Sequence, residues 1–430
     1  MKNASASQTK ILFVYCGSIS TFLFVMKLQR FVLLTVCILA SCSTVEKNKP
    51  TVLMISLDGF RWDYVDKIPT PNFHRLIDSG VRAKRMLPVF PSKTFPNHYT
   101  LVTGLYIEHH GIVSNRMWDP DLKASFVYKD SVSSQDPRWW GGEPIWVTAE
   151  KQGLITATYF WVGSETEIAG KRPTYFKKYD HQKPDSERVD EVLDWLDLPA
   201  EKRPSLITLY FALTDDVGHE FGPESDEIKA AIEQVDQTVG RLIDGLEKRG
   251  IFEKVDLIIV SDHGMCQVNP ENVVFLDDYV DLKKLRPNIE SPIFGLWPEK
   301  EQVDNVYQKL VSANPHMKVY KKEDMPPEFH YSQHPRIPPI VGMVDEGWSL
   351  TTHSFQKKYP RTLLGTHGLD PALPSMGATF IAHGPGFKKG VLVEPFRNIH
   401  VYDLIAHLLN IRPASNDGSL DSIRQVLSNP

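Results

Sequence analysis

The feature that most constrains this fold is an apolar run that stops abruptly in polar residues. Leu257 to Val260 is followed directly by Ser261-Asp262-His263-Gly264. A continuous run rich in β-branched residues predicts a strand buried on both faces, as in a parallel sheet with helices on either side. An open α/β sheet places its ligand site at the carboxyl ends of such strands. Asp262 and His263 are therefore candidate ligands, although an isolated Asp-His pair is more often a surface turn.

The same construction recurs at two further apolar runs. Val52 to Leu57 ends in Asp58-Gly59, and the glycine allows the backbone to turn sharply after the acid. Leu206 to Leu213 predicts a third strand, and Asp215 and His219 follow it. These two residues are four apart, so that one helical turn places both on the same side.

A predicted helix start gives Thr94 a distinctive position. Prolines keep Pro88 to Pro91 extended, and we expect a helix to begin near Thr94 and to end at Gly104. Free N–H groups and the helix dipole favour an anion at such a start, although a threonine there is most often a plain N-cap. Asn115 lies in a turn-rich stretch. Asparagine is normally a turn former there, but it can also donate an N–H to a developing oxyanion.

Alternating strands and helices predict an α/β architecture for most of the chain. An amphipathic stripe predicts a helix over Asp226 to Lys248, directly before the strand that ends at Val260. Prolines interrupt this rhythm in residues 280–360, which predict an inserted α+β subdomain within a single catalytic domain at 51–430. The chain returns to the site at Gly365-Thr366-His367-Gly368, where small neighbours leave His367 open to a metal or an anion.

The N-terminal segment has the features of an export signal. Read from Met26, it has a charged start, a short apolar stretch and small residues before Cys42, which is typical of a secretory signal and resembles a bacterial lipobox. We therefore expect residues 1–25 to be an upstream over-read, 26–42 a lipoprotein signal peptide and 43–50 a tether. Lipidation of Cys42 would anchor an exported protein on the periplasmic or cell-surface side of a membrane. An uncleaved anchor over residues 11–40 is the alternative.

Collected together, the candidates suit a metal site. Three aspartates and three histidines offer oxygen and nitrogen ligands without thiolate, which suits zinc better than copper or an iron–sulfur cluster. Two cations roughly 3.5–4 Å apart can clamp the attacking and leaving oxygens of an in-line phosphoryl displacement. A cation beside a hydroxyl lowers its pKa, which makes a threonine a candidate nucleophile. The candidates are Asp58, Thr94, Asp215, His219, Asp262, His263 and His367.

Six short motifs surround these candidates. They are Asp58-Gly59-Phe60-Arg61, Lys93-Thr94-Phe95-Pro96-Asn97-His98, Asn115-Arg116-Met117-Trp118-Asp119-Pro120, Asp215 with Gly218-His219, Ser261-Asp262-His263-Gly264-Met265 and Gly365-Thr366-His367-Gly368. In residues and in order they resemble the motifs of the nucleotide pyrophosphatase/phosphodiesterase family, within the alkaline phosphatase superfamily. The resemblance implies an α/β fold with an alkaline-phosphatase-like, mostly parallel central sheet, helices on both faces and a small α+β insertion.

The resemblance also implies a role for each residue. It implies two zinc ions per chain and a phosphorylated Thr94 intermediate, with Asn115 and the backbone N–H of Phe95 holding a non-bridging oxygen of the substrate. One zinc would be held by Asp215, His219 and His367, and the other by Asp58, Asp262, His263 and the Thr94 oxygen. The implied nucleoside pocket consists of Phe95, Tyr128, Tyr179 and Tyr210.

The expected activity is hydrolysis of nucleotides, dinucleotides or nucleotide diesters to nucleoside 5′-monophosphates. A choline-phospholipid or glycerophosphodiester hydrolase is the alternative on the same site, because aromatic residues also cage quaternary ammonium groups. A non-catalytic ligand-binding lipoprotein is a third, less favoured interpretation. The net charge of −5, with mixed acidic and basic residues, gives no reason to expect specific nucleic-acid binding. The sequence leaves the oligomeric state open.

Overall fold

The structure of the protein, a computed structural model, describes residues 50–361 and 363–428. The expected over-read at 1–25, the signal peptide at 26–42 with Cys42, and all of the tether except residue 50 lie outside these residues and stay predictions. Within the described residues, no helix combines the length and the apolar character needed to cross a membrane.

An eight-stranded sheet forms the centre of the fold. Its strands in chain order are β1 (Thr51–Leu57), β2 (Val81–Ala83), β3 (Thr156–Tyr159), β4 (Tyr175–Lys177), β5 (Leu206–Phe211), β6 (Val255–Val260), β7 (Phe380–His383) and β8 (Val391–Val393). Across the sheet they lie in the order β8-β2-β7-β6-β1-β5-β3-β4. Among these eight strands only β7 runs antiparallel to its neighbours, so the predicted mostly parallel sheet is confirmed.

Helices connect these strands. The longer ones are α1 (Pro71–Ser79), α2 (Thr94–Thr103), α3 (Ile145–Lys151), α4 (Asp185–Leu196), α5 (Leu213–Phe221), α6 (Asp226–Lys248), α7 (Val303–Leu310) and α8 (Val401–Leu408). Short helices are formed by Tyr64–Lys67, Ile107–His110, Ser131–Ser134, His353–Lys358 and Leu420–Ile423.

Both faces of the central sheet are covered by helices. Leu53, Ile55 and Leu57 of β1 pack on one side, in a core shared with residues of α1, α4 and α6. Val52 and Met54 pack on the other side with residues of α2, α3 and α8. Because successive side chains of a strand point to opposite faces, a strand that is apolar at every position is buried on both. This explains the uninterrupted apolar runs of the sequence.

The third predicted strand is shorter than expected. The sequence predicts a strand from Leu206 to Leu213, whereas β5 ends at Phe211 and Leu213 already begins α5. Ala212 and Leu213 pack in the same core as β5, so the apolar run continues across the change of backbone conformation. Hydrophobicity alone cannot separate a buried strand from a buried helix start.

A second sheet lies in the segment for which the sequence predicts an α+β insertion. Its strands are antiparallel, in the spatial order Pro287–Glu290, Ile293–Leu296, Ile340–Val344 and Met317–Lys321. Together with α7 they enclose an apolar core of their own. Within this segment the sequence predicts a helix near Lys300 to Val311 and strands near Met317 to Tyr320 and Pro339 to Val344, which the structure contains. It does not predict the hairpin of the first two strands, because its prolines argue against strands there. The domain boundaries at 280–360 and 51–430 stay predictions.

Four two-stranded ladders complete the described strands. They pair Met86–Leu87 with Phe396–Arg397, Arg116–Asp119 with Ala124–Val127, Cys266–Gln267 with Gly365–Thr366, and Val273–Phe275 with Ser349–Thr351. The third ladder pairs Cys266 with Thr366 and so brings His367 back to the carboxyl end of β6.

Replacement of Ile259 by alanine should strongly destabilise the fold. Ile259 lies one residue before the end of β6, has no solvent exposure and pairs with Ile55 of β1. The lost methylenes and the cavity left behind lower the free energy of unfolding by about 2–5 kcal/mol. Val132→Ala is the control, because Val132 is 81% exposed, and its effect should stay within about 0.5 kcal/mol. Denaturation midpoints followed by tryptophan fluorescence measure the stability of both variants. Equal shifts of the midpoint in the two variants would contradict a central sheet that is covered on both faces.

Candidate active site

The three central strands bring their carboxyl ends together. β1 lies between β5 and β6 and pairs in parallel with both. Asp58 follows β1 directly, Asp215 lies in the first turn of α5 just after β5, and Asp262 follows β6 by two residues. The sheet therefore places the three aspartates at the edge where an open α/β sheet binds its ligand.

Gly59 makes the close approach of these acids possible. Its φ of 65° lies in the left-handed region that favours glycine. A Cβ at this position would lie 3.1 Å from the Cα, Cβ and Oδ1 atoms of Asp215. The Gly59 N–H donates a hydrogen bond of 3.2 Å to Oδ1 of Asp262. Any larger residue here would push Asp215 away from the other two acids.

Asp215, His219 and His367 form the first ligand group. The Nε2 atoms of the two histidines are 3.1 Å apart. Asp215 Oδ1 lies 3.5 Å from His219 Nε2 and 3.6 Å from His367 Nε2. One turn of α5 places Asp215 beside His219, as their four-residue spacing predicts. Three such atoms around one point are a suitable protein ligand set for a metal that keeps a further position open.

Asp58, Asp262, His263 and Thr94 form the second ligand group. His263 Nε2 lies 2.9 Å from Asp262 Oδ2, 3.5 Å from Asp58 Oδ1 and 3.3 Å from Thr94 Oγ1. The histidine and both aspartates are buried. The two groups adjoin, because Asp58, Asp215 and His263 also offer ligand atoms within 4.8 Å of one another. The two ligand groups therefore form one continuous cluster.

Backbone carbonyls fix the tautomer of all three histidines in these groups. A carbonyl oxygen only accepts, so each Nδ1 carries the proton and each Nε2 presents its lone pair to the site. A second partner of this kind is usual for histidines that bind metals. The hydrogen bonds join His219 to Gly365 at 2.9 Å, His263 to Gly264 at 2.8 Å and His367 to Ser92 at 2.7 Å.

Two buried carboxylate oxygens of the site, Asp58 Oδ1 and Asp215 Oδ1, lack a hydrogen-bond donor among the described residues. Burial and the nearby charges of Asp262 and Asp215 raise the pKa of Asp58 well above its ordinary value. An unpaired buried anion is costly, and a divalent cation between the carboxylates removes that cost. The residues present therefore fit metal ions.

Protons and cations compete for these ligands. Burial, followed by the neighbouring His263 and Lys93, lowers the pKa of His367 well below its ordinary value. Burial alone would lower the pKa of His263 too, but Asp262 raises it above the ordinary value. Because a histidine must lose its proton from Nε2 to bind a metal, the metal affinity of the second group should fall as the pH falls.

Thr94 is the first residue of α2, as the sequence predicts, and its hydroxyl borders the second ligand group. The neighbouring Phe95 N–H donates a hydrogen bond of 2.9 Å to Oδ1 of Asn115. Because that N–H must face the amide oxygen, the NH2 group of Asn115 is left to donate to a substrate oxygen. In this structure the Phe95 N–H, the other implied donor, is occupied by Asn115.

The four aromatic residues of the implied nucleoside pocket form two edge-to-face pairs. The ring centroids of Phe95 and Tyr128 are 5.5 Å apart, and those of Tyr179 and Tyr210 are 6.2 Å apart. Tyr179 is 49% exposed, whereas Tyr210 is buried. The Tyr210 hydroxyl donates a hydrogen bond of 2.6 Å to Oδ2 of Asp58. Tyr210 thus also supports a ligand carboxylate, which the sequence does not reveal.

Two further side chains at the site are not predicted from the sequence. His98 is fully buried one turn after Thr94, and its Nδ1 lies 2.9 Å from the Thr94 carbonyl oxygen. Its four-residue spacing from Thr94 on a predicted helix is the signal that could have found it. Lys93 is also buried, and its Nζ donates to the Ser291 carbonyl oxygen at 2.9 Å, which joins the site to the second sheet. Burial lowers the pKa of Lys93 to about 8.

Comparisons with known proteins agree with this geometry. The family model described as type I phosphodiesterase/nucleotide pyrophosphatase matches residues 52–370. The chain is 38% identical over 392 residues to human ectonucleotide pyrophosphatase/phosphodiesterase family member 5, covering 91% of this chain and 80% of that protein. It is 41% identical over 389 residues to a venom phosphodiesterase of Crotalus durissus collilineatus, covering 88% of this chain but 46% of the venom protein.

A solved structure also matches. Murine ectonucleotide pyrophosphatase/phosphodiesterase 5 is similar with a TM-score of 0.84 at 38% identity, covering 88% of this chain and 100% of that chain. The same murine protein has been solved as an inactive threonine-to-alanine variant in complex with AMP. The fold and the paired Asp/His groups define an alkaline-phosphatase-like hydrolase of phosphodiester bonds. More specifically, the chain belongs to the type I phosphodiesterase/nucleotide pyrophosphatase family.

Replacement of Tyr210 by phenylalanine should weaken metal binding. The change removes the hydroxyl that donates to Asp58 Oδ2 and leaves that oxygen without this partner. Loss of a partner that orients a metal ligand lowers metal affinity by about 10–100-fold. Competition with a zinc-binding dye measures the affinity.

Tyr64→Phe is the matched control for this substitution. The Tyr64 hydroxyl is buried but makes no hydrogen bond with the described residues. Its removal should leave the metal affinity within about twofold of the wild-type value. Equal affinities for the Tyr210 and Tyr64 variants would show that the hydroxyl does not support Asp58.

Proposed function

We propose that this protein is a two-zinc phosphodiesterase that cleaves nucleotides, dinucleotides or nucleotide diesters to nucleoside 5′-monophosphates. One observation carries the proposal: three histidine Nε2 atoms and oxygens of three aspartates converge in one cluster beside the Thr94 hydroxyl, and two of those oxygens have no donor among the described residues. Membership of the family supports the reaction class. The AMP complex of the murine relative supports a nucleotide substrate.

The two ligand groups divide naturally between two ions. Asp215, His219 and His367 would hold one zinc. Asp58, Asp262, His263 and the oxygen of Thr94 would hold the other. When bound, the zinc ions would supply Lewis-acid stabilisation of the negative charge that develops on the reacting oxygens. Nitrogen and oxygen donors without thiolate suit zinc, and the adjoining groups suit a pair of ions.

Thr94 would act as the nucleophile in a two-step reaction. Its Oγ1 loses its proton and forms a bond to phosphorus while the bond to the leaving-group oxygen breaks, which leaves the nucleoside 5′-phosphoryl group on the threonine and releases an alcohol or phosphate product. Water then attacks the phosphorus from the opposite side and releases the nucleoside 5′-monophosphate and the free threonine. The Asn115 NH2 group would donate to a non-bridging oxygen in both steps. The loss of activity in a threonine-to-alanine variant of the murine relative supports a nucleophilic threonine.

The aromatic residues beside Thr94 would bind the nucleoside. Phe95 follows Thr94 in the first turn of α2, and its ring packs against that of Tyr128. Tyr179 presents a half-exposed ring in the second pair. Stacking of a base on an aromatic side chain is worth roughly 1–3 kcal/mol, which is enough to select nucleotides over diesters without a base.

Replacement of Thr94 by alanine should abolish turnover but not folding. Without the hydroxyl, no covalent intermediate can form, and kcat should fall by about 10³-fold or more. The first zinc group keeps all of its ligands and the second loses one of four, so most metal binding should survive. Steady-state kinetics, together with metal analysis by mass spectrometry, measures both quantities.

Thr94→Ser is the conservative variant for this test. It keeps a hydroxyl at the same place and should retain measurable turnover and a covalent intermediate, with the nucleoside 5′-phosphoryl group on that hydroxyl, which acid quenching traps. Near-normal turnover in the alanine variant would refute the nucleophile.

A panel of three chromogenic substrates tests the substrate class. We expect the zinc-loaded protein to prefer the thymidine 5′-p-nitrophenyl diester over p-nitrophenyl phosphorylcholine and p-nitrophenyl phosphate. Tyr179→Ala should raise KM for the thymidine diester with a smaller effect on kcat, while Tyr359→Ala, at an equally exposed tyrosine outside the proposed pocket, should change neither. A preference for p-nitrophenyl phosphorylcholine would refute the nucleoside pocket and indicate a choline site. A preference for the monoester would contradict both phosphodiesterase hypotheses.

A further inference from the structure

His98 occupies a central position behind the candidate nucleophile. It lies on α2, four residues after Thr94, and its side chain has no solvent exposure. Its Nδ1 lies 2.9 Å from the carbonyl oxygen of Thr94 and 3.2 Å from Oδ2 of Asp262. Both neighbours are acceptors, so Nδ1 carries the proton. A single N–H therefore faces both the backbone of the candidate nucleophile and a candidate metal ligand.

The opposite edge of the ring is held by the central sheet. His98 Nε2 lies 2.7 Å from Oγ of Ser56 on β1. Since Nδ1 carries the proton, Nε2 accepts a hydrogen bond from the Ser56 hydroxyl. The ring also meets Trp161 and Tyr210 edge to face, with centroids 5.4 Å and 5.2 Å away. These contacts fix the rotation of the ring.

His98 differs from the three histidines that present Nε2 to the site. Each of those binds a carbonyl through Nδ1 and turns Nε2 toward the other ligand atoms, whereas the nitrogens of His98 contact the Thr94 carbonyl and the Ser56 hydroxyl. The ring therefore has no lone pair left for a metal, although it lies close to Asp58 and Asp262. His98 is suited to orient the ligands and not to be one.

The connection of Ser56, His98 and Asp262 resembles the order of a catalytic serine triad but cannot work as one. Ser56 is fully buried within β1, so that no substrate can reach its hydroxyl. The connection therefore holds the ring in place and does not activate the serine.

We propose that His98 is a positioning residue for phosphoryl transfer. Through its Nδ1–H it fixes the first turn of α2, which carries Thr94, relative to Asp262, while Ser56 fixes the ring to the sheet. The proposal rests on Thr94 as the nucleophile. Misplacement of a reacting group by about 1 Å can cost about 100-fold in rate, so a buried hydrogen bond behind the nucleophile has a measurable effect.

Two substitutions separate the two edges of the ring. His98→Asn places an amide near the Nδ1 position and can keep the hydrogen bond to Thr94. His98→Gln places an amide near the Nε2 position, so it can keep the hydrogen bond to Ser56 but loses the hydrogen bond to Thr94. For His98→Gln we expect kcat to fall by about 10–100-fold with KM changed by less than about threefold, and zinc affinity to fall by about tenfold. His98→Asn should retain kcat within about fivefold and zinc affinity within about threefold.

Ser56→Ala tests the sheet side of the ring. It removes the partner of Nε2 and leaves Nδ1 beside both of its acceptors, so kcat and zinc affinity should fall less than they do in His98→Gln. Equal losses in the Asn and Gln variants, or a larger loss in the Asn variant, would overturn the proposal. A kcat loss in Ser56→Ala as large as that in His98→Gln would also overturn it.

Two readouts keep the test independent of folding and of the nucleophile assignment. The tautomer of His98 in the wild-type protein is read from histidine ¹⁵N shifts, and a proton on Nε2 would overturn the proposal without any substitution. Thr94→Ala is assayed alongside. Activity in that variant refutes Thr94 as the nucleophile. If the Thr94 variant is inactive but His98→Asn and His98→Gln have the same kcat and zinc affinity, only the positioning role of His98 is refuted.

Discussion

Three aspartates that meet at one corner of the central sheet are the constraint on which the rest of this structure depends. Asp58, Asp215 and Asp262 follow three adjacent parallel strands, and the Oδ1 atoms of Asp58 and Asp215 have no donor among the described residues. Burial and the neighbouring aspartates oppose the charge of Asp58 and raise its pKa. Cations at this corner offset that cost, so metal binding should stabilise the folded protein as well as serve the reaction.

The surrounding structure orients the ligands by ordinary hydrogen bonds. Backbone carbonyls hold the three histidines in one tautomer, the Tyr210 hydroxyl holds Asp58, and Gly59 gives the acids room to approach. The ladder between Cys266 and Thr366 returns the last ligand, His367, from a distant part of the chain. Thr94, at the start of α2, borders the second ligand group. Asn115 is held beside it by a hydrogen bond from the Phe95 N–H.

The central fold could be predicted from the sequence because a strand buried on both faces leaves a clear apolar run, and an acid at its end is conspicuous. Contacts between distant segments leave no such pattern. The hydrogen bond between Tyr210 and Asp58 joins side chains 152 positions apart, and it depends on the register of β1 against β5. The start of α1 gives a similar case. Thr70 occupies the N-cap position of the helix, but its hydroxyl donates to the Val65 carbonyl oxygen and does not cap the helix. Asp236 of α6 instead accepts from the N–H groups of Asn72 and Phe73.

The most direct test of the account is anomalous scattering at the zinc edge from crystals of the zinc-loaded protein. The account predicts two peaks per chain. One should contact Asp215, His219 and His367, and the other should contact Asp58, Asp262, His263 and the Thr94 hydroxyl. His98 should contact neither. The absence of a peak between the three aspartates, or a zinc ion bound by His98, would contradict it.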